Sequence, residues 1–193
     1  QQKGVCNVLA LRGDRPRDMS DEDYSNRTFL HASDIIQIIH KHSDLCVADA
    51  CYPEIHPESE TRESDLHYLK EKVDSGVNFL ITQMFFDNER FYEFRELARK
   101  SGINVPISTG IMPITAAKQL GTSVSLSGTS VPTKLSSMVA KYADNPDDLR
   151  KARIEYAVEQ INDLIENDVD GIHIYTMNKA ATAIDIMKQV HRK

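Results

Sequence analysis

The segment Phe79-Leu80-Ile81-Thr82-Gln83-Met84-Phe85-Phe86-Asp87 decides the fold. Its first four residues make an apolar, β-branched run too short for a helix. The run then delivers a carboxamide, Gln83, to its end, ahead of two aromatic residues. An unalternating run of this kind suits a parallel strand covered on both faces. Gln83 would then stand at the carboxyl end of a strand, where (β/α) barrels carry their chemistry.

Four other runs end in the same way. Val8 to Leu11 leads into Arg12-Gly13-Asp14, and Leu45 to Ala50 into Tyr52-Pro53-Glu54-Ile55-His56-Pro57-Glu58. Val105 to Ser108 precedes Gly110-Ile111-Met112-Pro113, and Ile172 to Tyr175 leads into Thr176-Met177-Asn178-Lys179. Between the runs, apolar residues recur with helical period at Ile35, Ile36, Ile38 and Ile39, at Leu66, Leu69 and Val73, at Phe91, Phe94, Leu97 and Ala98, and from Ile154 to Ile165. Such stripes predict helices that pack one face on a sheet. Ser33, Asn88 and Asp147 or Asp148 are the predicted helix starts. Gly76 and Gly102 are the predicted stops, each a left-handed residue just before the next strand.

Strand-to-strand spacing is about 30 residues, the size of a βαβ unit, except before Ile172. The long interval there contains Gly121 to Pro132, small and polar, which reads as a loop or irregular segment near the site. The pattern is α/β, of the (β/α)8 TIM-barrel type, with about five β/α units, each strand followed by a helix. A closed eight-stranded barrel takes about 250 residues. Residues 1–193 therefore read as one partial barrel domain, the last five units, with the remaining strands expected before Gln1.

With 193 residues and 40% hydrophobic content, the chain can bury one sizeable core. A net charge of −6 and the lack of a lysine or arginine block argue against a nucleic-acid partner. No leader and no apolar run near 18 residues is present, so the expectation is a soluble, cytoplasmic protein without membrane contact. Cys6, Cys46 and Cys51 lack metal-site spacing and read as reduced core thiols. The histidines form no H-E-x-x-H pattern, so no metal is expected.

Among candidate site residues, Arg12, Gly13 and Asp14 offer a cation, a flexible amide and a carboxylate within three residues. A turn with a solvated ion pair is the alternative. Tyr52 and His56 lie in a loop stiffened by Pro53 and Pro57, and that density of functional groups favours a site. Asp65 and Lys72 are seven apart, on one helix face, so a ligand could meet both. An ion pair with a neighbour such as Glu71 is the alternative that spacing alone favours. Phe85 and Phe86 are more readily core than a stacking platform. No dinucleotide fingerprint, P-loop or nucleophile elbow is present.

Taken in order, Leu9-Ala10-Leu11-Arg12-Gly13-Asp14, Ala50-Cys51-Tyr52-Pro53-Glu54-Ile55-His56-Pro57-Glu58, Ile81 to Asp87, Gly110-Ile111-Met112-Pro113 and Ile174-Tyr175-Thr176-Met177-Asn178 resemble the methylenetetrahydrofolate reductase family. The resemblance implies an FAD-containing (β/α)8 barrel that reduces 5,10-methylenetetrahydrofolate to 5-methyltetrahydrofolate with NAD(P)H, in one-carbon and methionine metabolism. It implies that Arg12, Gly13, Asp14, Ala32, Tyr52, His56, Asp65 and Lys72 line FAD. Asp14 would also contact the folate, as would Gln83, Gln119 and Lys179, with Gln83 serving the nicotinamide in turn. Asp14 and Gln83 would be the catalytic pair, in a homo-oligomer. Lys179 departs from the family, which commonly has arginine there. The family's first three strands, with the glutamate that acts as general acid, have no counterpart in these residues. On that count the chain alone is expected to be inactive, and a noncatalytic flavin-binding or assembly fragment is the alternative. The order of motifs disfavours another flavin barrel, such as a proline dehydrogenase relative.

Overall fold

The computed structural model describes residues 4–13, 15, 16, 18–114, 121, 124 and 127–191. Five strands, β1 (Asn7–Leu9), β2 (Cys46–Cys51), β3 (Phe79–Thr82), β4 (Ile107–Ile111) and β5 (Gly171–Ile174), form one sheet in the order β1-β2-β3-β4-β5. Every neighbouring pair is parallel. Each crossover therefore steps one strand in the same direction, as the wall of an α/β barrel grows. A doubly wound sheet would instead reverse at a switch point. The fourth strand begins two residues later than the run Val105 to Ser108 suggested, because Pro106 has no N–H to give to a ladder.

The helices are α1 (Asp21–Ser25), α2 (Ala32–His42), α3 (Arg62–Asp74), α4 (Asn88–Lys100), α5 (Thr133–Lys141), α6 (Pro146–Glu166) and α7 (Ala180–Met187). Gly76 and Gly102 follow the C-caps of α3 and α4 with φ of 113° and 79°, as expected of helix stops. The starts differ from expectation. Asp87, not Asn88, caps α4 by accepting from the Glu89 amide, and Asn145 caps α6 by accepting from Asp148. Ser33 lies inside α2, whose first turn is closed by Asp34 accepting from the amides of Leu30 and His31. Gly121, Val124 and Ser127 are helical, so the expected loop is in part a helix. Its small residues suit close packing: Ser127 and Thr129 are buried, and Thr129 Oγ1 donates to the Met84 carbonyl.

The core lies between sheet and helices. Val47, Cys51, Leu80, Ile107 and Ile111 share one cluster with Ile36, Leu66, Phe91, Phe94 and Ile161. Burying each such side chain contributes about 1.5–3 kcal/mol. The other sheet face is only partly covered, contrary to the reading of strands buried on both sides. β3 alternates half-buried and buried residues, and Leu9 and Leu11 beside the β1 edge are 43% and 51% exposed. The inner face of a barrel wall is covered by strands across the barrel, and five strands leave it partly open. Only Cys51 proves to be a core thiol, since Cys6 is exposed and Cys46 half-buried.

Candidate functional site

Because all five strands run parallel, their carboxyl ends lie at one end of the sheet. At the β1 exit, Arg12 reaches the β2 loop and forms a two-pronged ion pair with Glu58, at 2.7 and 2.8 Å. The guanidinium holds the Glu58 carboxyl below its usual range, and Glu58 raises Arg12 in return. Gly13 has φ of 81°, a left-handed conformation that explains the glycine, with open space where a Cβ would stand. Asp14 lies outside the described residues, as does Gln119.

The β2 exit is stiffened by more than its prolines. Arg62, at the start of α3, donates to the carbonyls of Tyr52 (3.3 Å) and Pro53 (2.7 Å). Ser130 donates its amide to Glu54 from the far segment. Ile55 sits at φ of 89°, a strained conformation for a β-branched residue, with a cost of roughly 1–3 kcal/mol. That kink carries His56 to an edge-on contact with the Tyr52 ring, centroids 4.5 Å apart. The Glu58 amide donates to His56 Nδ1 at 3.0 Å. Nδ1 is then an acceptor, which leaves the proton of the neutral ring on Nε2. Burial lowers the His56 pKa and favours that neutral form. The loop therefore presents an aromatic ring and an N–H donor in fixed positions.

Asp65 and Lys72 have different partners. Asp65 accepts from Ser59 Oγ at 3.2 Å. Lys72 reaches β2, where Nζ lies 2.8 Å from Asp49 Oδ2 and donates to the Ala50 carbonyl at 2.7 Å. The contact with Oδ2 lacks hydrogen-bond alignment, so charge attraction rather than a directed bond holds it. Asp49 is 1% exposed, and Lys72 is its counter-charge. The expected alternative, an ion pair with Glu71, is not the one formed. Asp49 escaped sequence reading because a single acid inside an apolar run carries no periodic signal.

At the β3 exit, the Gln83 amide extends the sheet by donating to the Cys51 carbonyl at 2.7 Å. Its side-chain oxygen accepts from the Met84 amide at 2.9 Å, which leaves the NH2 group as its free chemistry. Phe85 and Phe86 are core, at 0% and 4% exposure. At the β5 exit, Thr176 to Lys179 form a tight turn with Met177 and Asn178 both left-handed, closed by the Lys179 amide on the Thr176 carbonyl. That turn sets Lys179, exposed, at the start of α7. Ala32 is half-buried in the first turn of α2. Among the described residues, no group of three or more His, Cys, Asp or Glu could hold a metal ion, and no helix is long and apolar enough to cross a membrane. A surface recess of about 390 Å³ between α6 and α7 includes none of the strand-exit residues.

Residues 1–191 match the family model described as methylenetetrahydrofolate reductase. The chain is 32% identical over 179 residues to 5,10-methylenetetrahydrofolate reductase of Pectobacterium carotovorum, covering 93% of this chain and 58% of that protein. It is 36% identical over 193 residues to methylenetetrahydrofolate reductase 2 of Saccharomyces cerevisiae, covering 97% and 32%. For methylenetetrahydrofolate reductase (NADH) 1 of Arabidopsis thaliana the identity is 33% over 198 residues, covering 97% and 33%. The chain thus spans between a third and three fifths of the length of these relatives. In fold it is similar to an uncharacterized Clostridium thermocellum protein that binds two copies of 5-methyl-5,6,7,8-tetrahydrofolic acid, with a TM-score of 0.52 at 19% identity over 80% of this chain and 56% of that one. The match over residues 1–191, with relatives at 32–36% identity over most of the chain, shows that the chain belongs to the methylenetetrahydrofolate reductase family.

Proposed function

We propose that the intact protein reduces 5,10-methylenetetrahydrofolate to 5-methyltetrahydrofolate, with bound FAD and with NAD(P)H as electron source. The observation that carries this reading is the gathering of Arg12, Tyr52, His56 and Gln83 at one end of a parallel sheet, in a chain of this family. The residues fit a planar heterocycle. Gly13 leaves open space, Tyr52 offers a ring, His56 an N–H donor and Arg12 a planar cation. Ala32 and Asp65 would line the same cofactor, whereas Lys72 would have to leave Asp49 to reach it.

Bound FAD would supply the hydride chemistry. The chain's own part is to bind, orient and stabilise. The Gln83 NH2 group would donate to the folate and to the nicotinamide in turn. The Asp14 carboxylate would stabilise positive charge developing on the folate as its ring opens, an effect worth about 3 kcal/mol when such a contact is lost. Gln119 and Lys179 would complete the folate site, Lys179 as a point charge. The reading extends to a cytoplasmic homo-oligomer whose barrel is closed by further strands over Leu9 and Leu11.

Denaturing the purified intact protein should release stoichiometric flavin, and NAD(P)H oxidation should depend on methylenetetrahydrofolate. Flavin without turnover would instead establish a noncatalytic flavin-binding module. Absence of both overturns the proposal.

A further inference from the structure

Within the apolar strand β2, Asp49 is the single acid. Strand alternation puts its side chain on the same face as Val47 and Cys51, and those two belong to the core cluster that also holds Leu66 and Leu69 of α3. The carboxylate therefore sits between the sheet and α3. Its Oδ1 accepts from the Ala50 amide at 2.7 Å, whereas Oδ2 has no directed hydrogen bond among the described residues. Lys72 comes down from α3 to supply the counter-charge, with Nζ 2.8 Å from Oδ2 and donating to the Ala50 carbonyl. One ammonium thus meets two oxygens of β2.

The same lysine stands near the β2 exit. Burial lowers the His56 pKa, Lys72 adds to that effect and Asp65 opposes it, so both charges are within reach of His56. The charged group of FAD is its diphosphate, and a lysine lining FAD would serve that group. Two anions then compete for one ammonium. Turning Lys72 to a phosphate would leave the 1%-exposed Asp49 carboxylate without a counter-charge, which is strongly destabilising. The gain is smaller, because a lysine offers a phosphate a flexible point charge and a contact at a solvent-facing site is screened by water. The buried carboxylate keeps the lysine.

We propose that Asp49 withdraws Lys72 from the cofactor site, and that it is thereby a positioning residue that limits how tightly this chain holds the diphosphate of FAD. The inference rests on the FAD reading above and differs from the family resemblance at one residue. The cofactor binds with Lys72 still on β2. Removing the charge at position 49 releases the lysine to the phosphates.

The test titrates the intact protein, stripped of flavin, with FAD and with riboflavin, which has no phosphate. Asp49→Asn should bind FAD about ten-fold more tightly than the wild type, the gain from one charge-assisted contact, and should bind riboflavin no differently. Asp49→Asn combined with Lys72→Met should lose that gain. Crystals of the wild-type protein with FAD should show Lys72 Nζ still on Asp49, a readout that survives if a variant fails to fold. Equal or weaker FAD binding by Asp49→Asn, or Lys72 on a phosphate in the wild-type crystals, overturns this inference alone. FAD binding by neither protein overturns the reading above and this inference with it.

Discussion

The hydroxyl of Tyr175 donates to the carbonyl of Thr82 at 2.9 Å, reaching from the end of β5 across β4 to β3. The reach is possible because the residue beneath it is Gly110. A Cβ there would press on the Thr82 carbonyl and lie 2.7 Å from the Tyr175 ring. Thr82 also accepts the Gly110 amide through Oγ1 at 2.8 Å. The peptide ahead of Gln83 is therefore fixed from two strands at once.

Gly110→Ala should destabilise the fold by about 1–3 kcal/mol, as overpacking against backbone does, and should displace Tyr175. Tyr175→Phe should lose about 1 kcal/mol. Burial pushes the Tyr175 pKa up to about 12, above its unfolded value near 10. Its stabilisation is thus fully present below about pH 10 and fades as pH rises toward 12. Urea titrations at pH 7 and above pH 10 check both variants. Equal losses for Tyr175→Phe at the two pH values would count against the raised pKa of the buried hydroxyl.

Lys72→Met leaves the buried Asp49 carboxylate without its counter-charge and should cost about 3–5 kcal/mol. Asp49→Asn combined with Lys72→Met should recover much of that loss. A double-mutant cycle by urea unfolding measures the coupling. If the two single losses simply add, the pair is not the reason Lys72 points inward.

Acid should loosen the join between the β1 and β2 exits. Arg12 depresses the Glu58 pKa, so that contribution is present above the ordinary carboxylate value and is lost as pH falls through the folded one. Burial lowers the His56 pKa, against the raising influence of Glu58 and Asp65, so folding disfavours its protonation and stability also drops below about pH 6.5. Glu58 is more than half exposed, and its share is small. Melting temperatures between pH 4 and 7 should flatten for His56→Asn above pH 5 and for Glu58→Gln below it. Unchanged slopes in both would reject the assignment.

The three cysteines should separate kinetically. Cys6 is exposed and should react with a thiol reagent within minutes. Cys51 is buried, with its thiol pKa pushed up by burial, and should react only on unfolding. Mass spectrometry of partly labelled protein reads the order, and early modification of Cys51 would contradict its place in the core.

Much of the architecture is legible in the chain because it is local and periodic. Five short apolar runs, the stripes between them and Gly76 and Gly102 mark strands, helices and stops to within a few residues. The strand-exit motifs are contiguous, so Arg12, Tyr52, His56 and Gln83 stand out before any folding is considered. Exact caps were less legible, since Asp87 and Asn145 compete with equally good neighbours and only the chain's direction of entry chooses between them. Other features depend on which distant residues meet. The spacing of Asp65 and Lys72 allows one shared ligand and by itself favours an ion pair with a neighbour such as Glu71, yet Asp49, twenty-three residues before Lys72, captures the lysine. Tyr175 crossing Gly110 to Thr82 is likewise a pairing across tens of residues, and Arg62 clamps the Tyr52 loop from nine and ten residues away. Period and propensity follow from each residue's own backbone and side chain and are written in the sequence. Partner choice and burial follow from the packing of all elements at once, and the tertiary structure alone decides them.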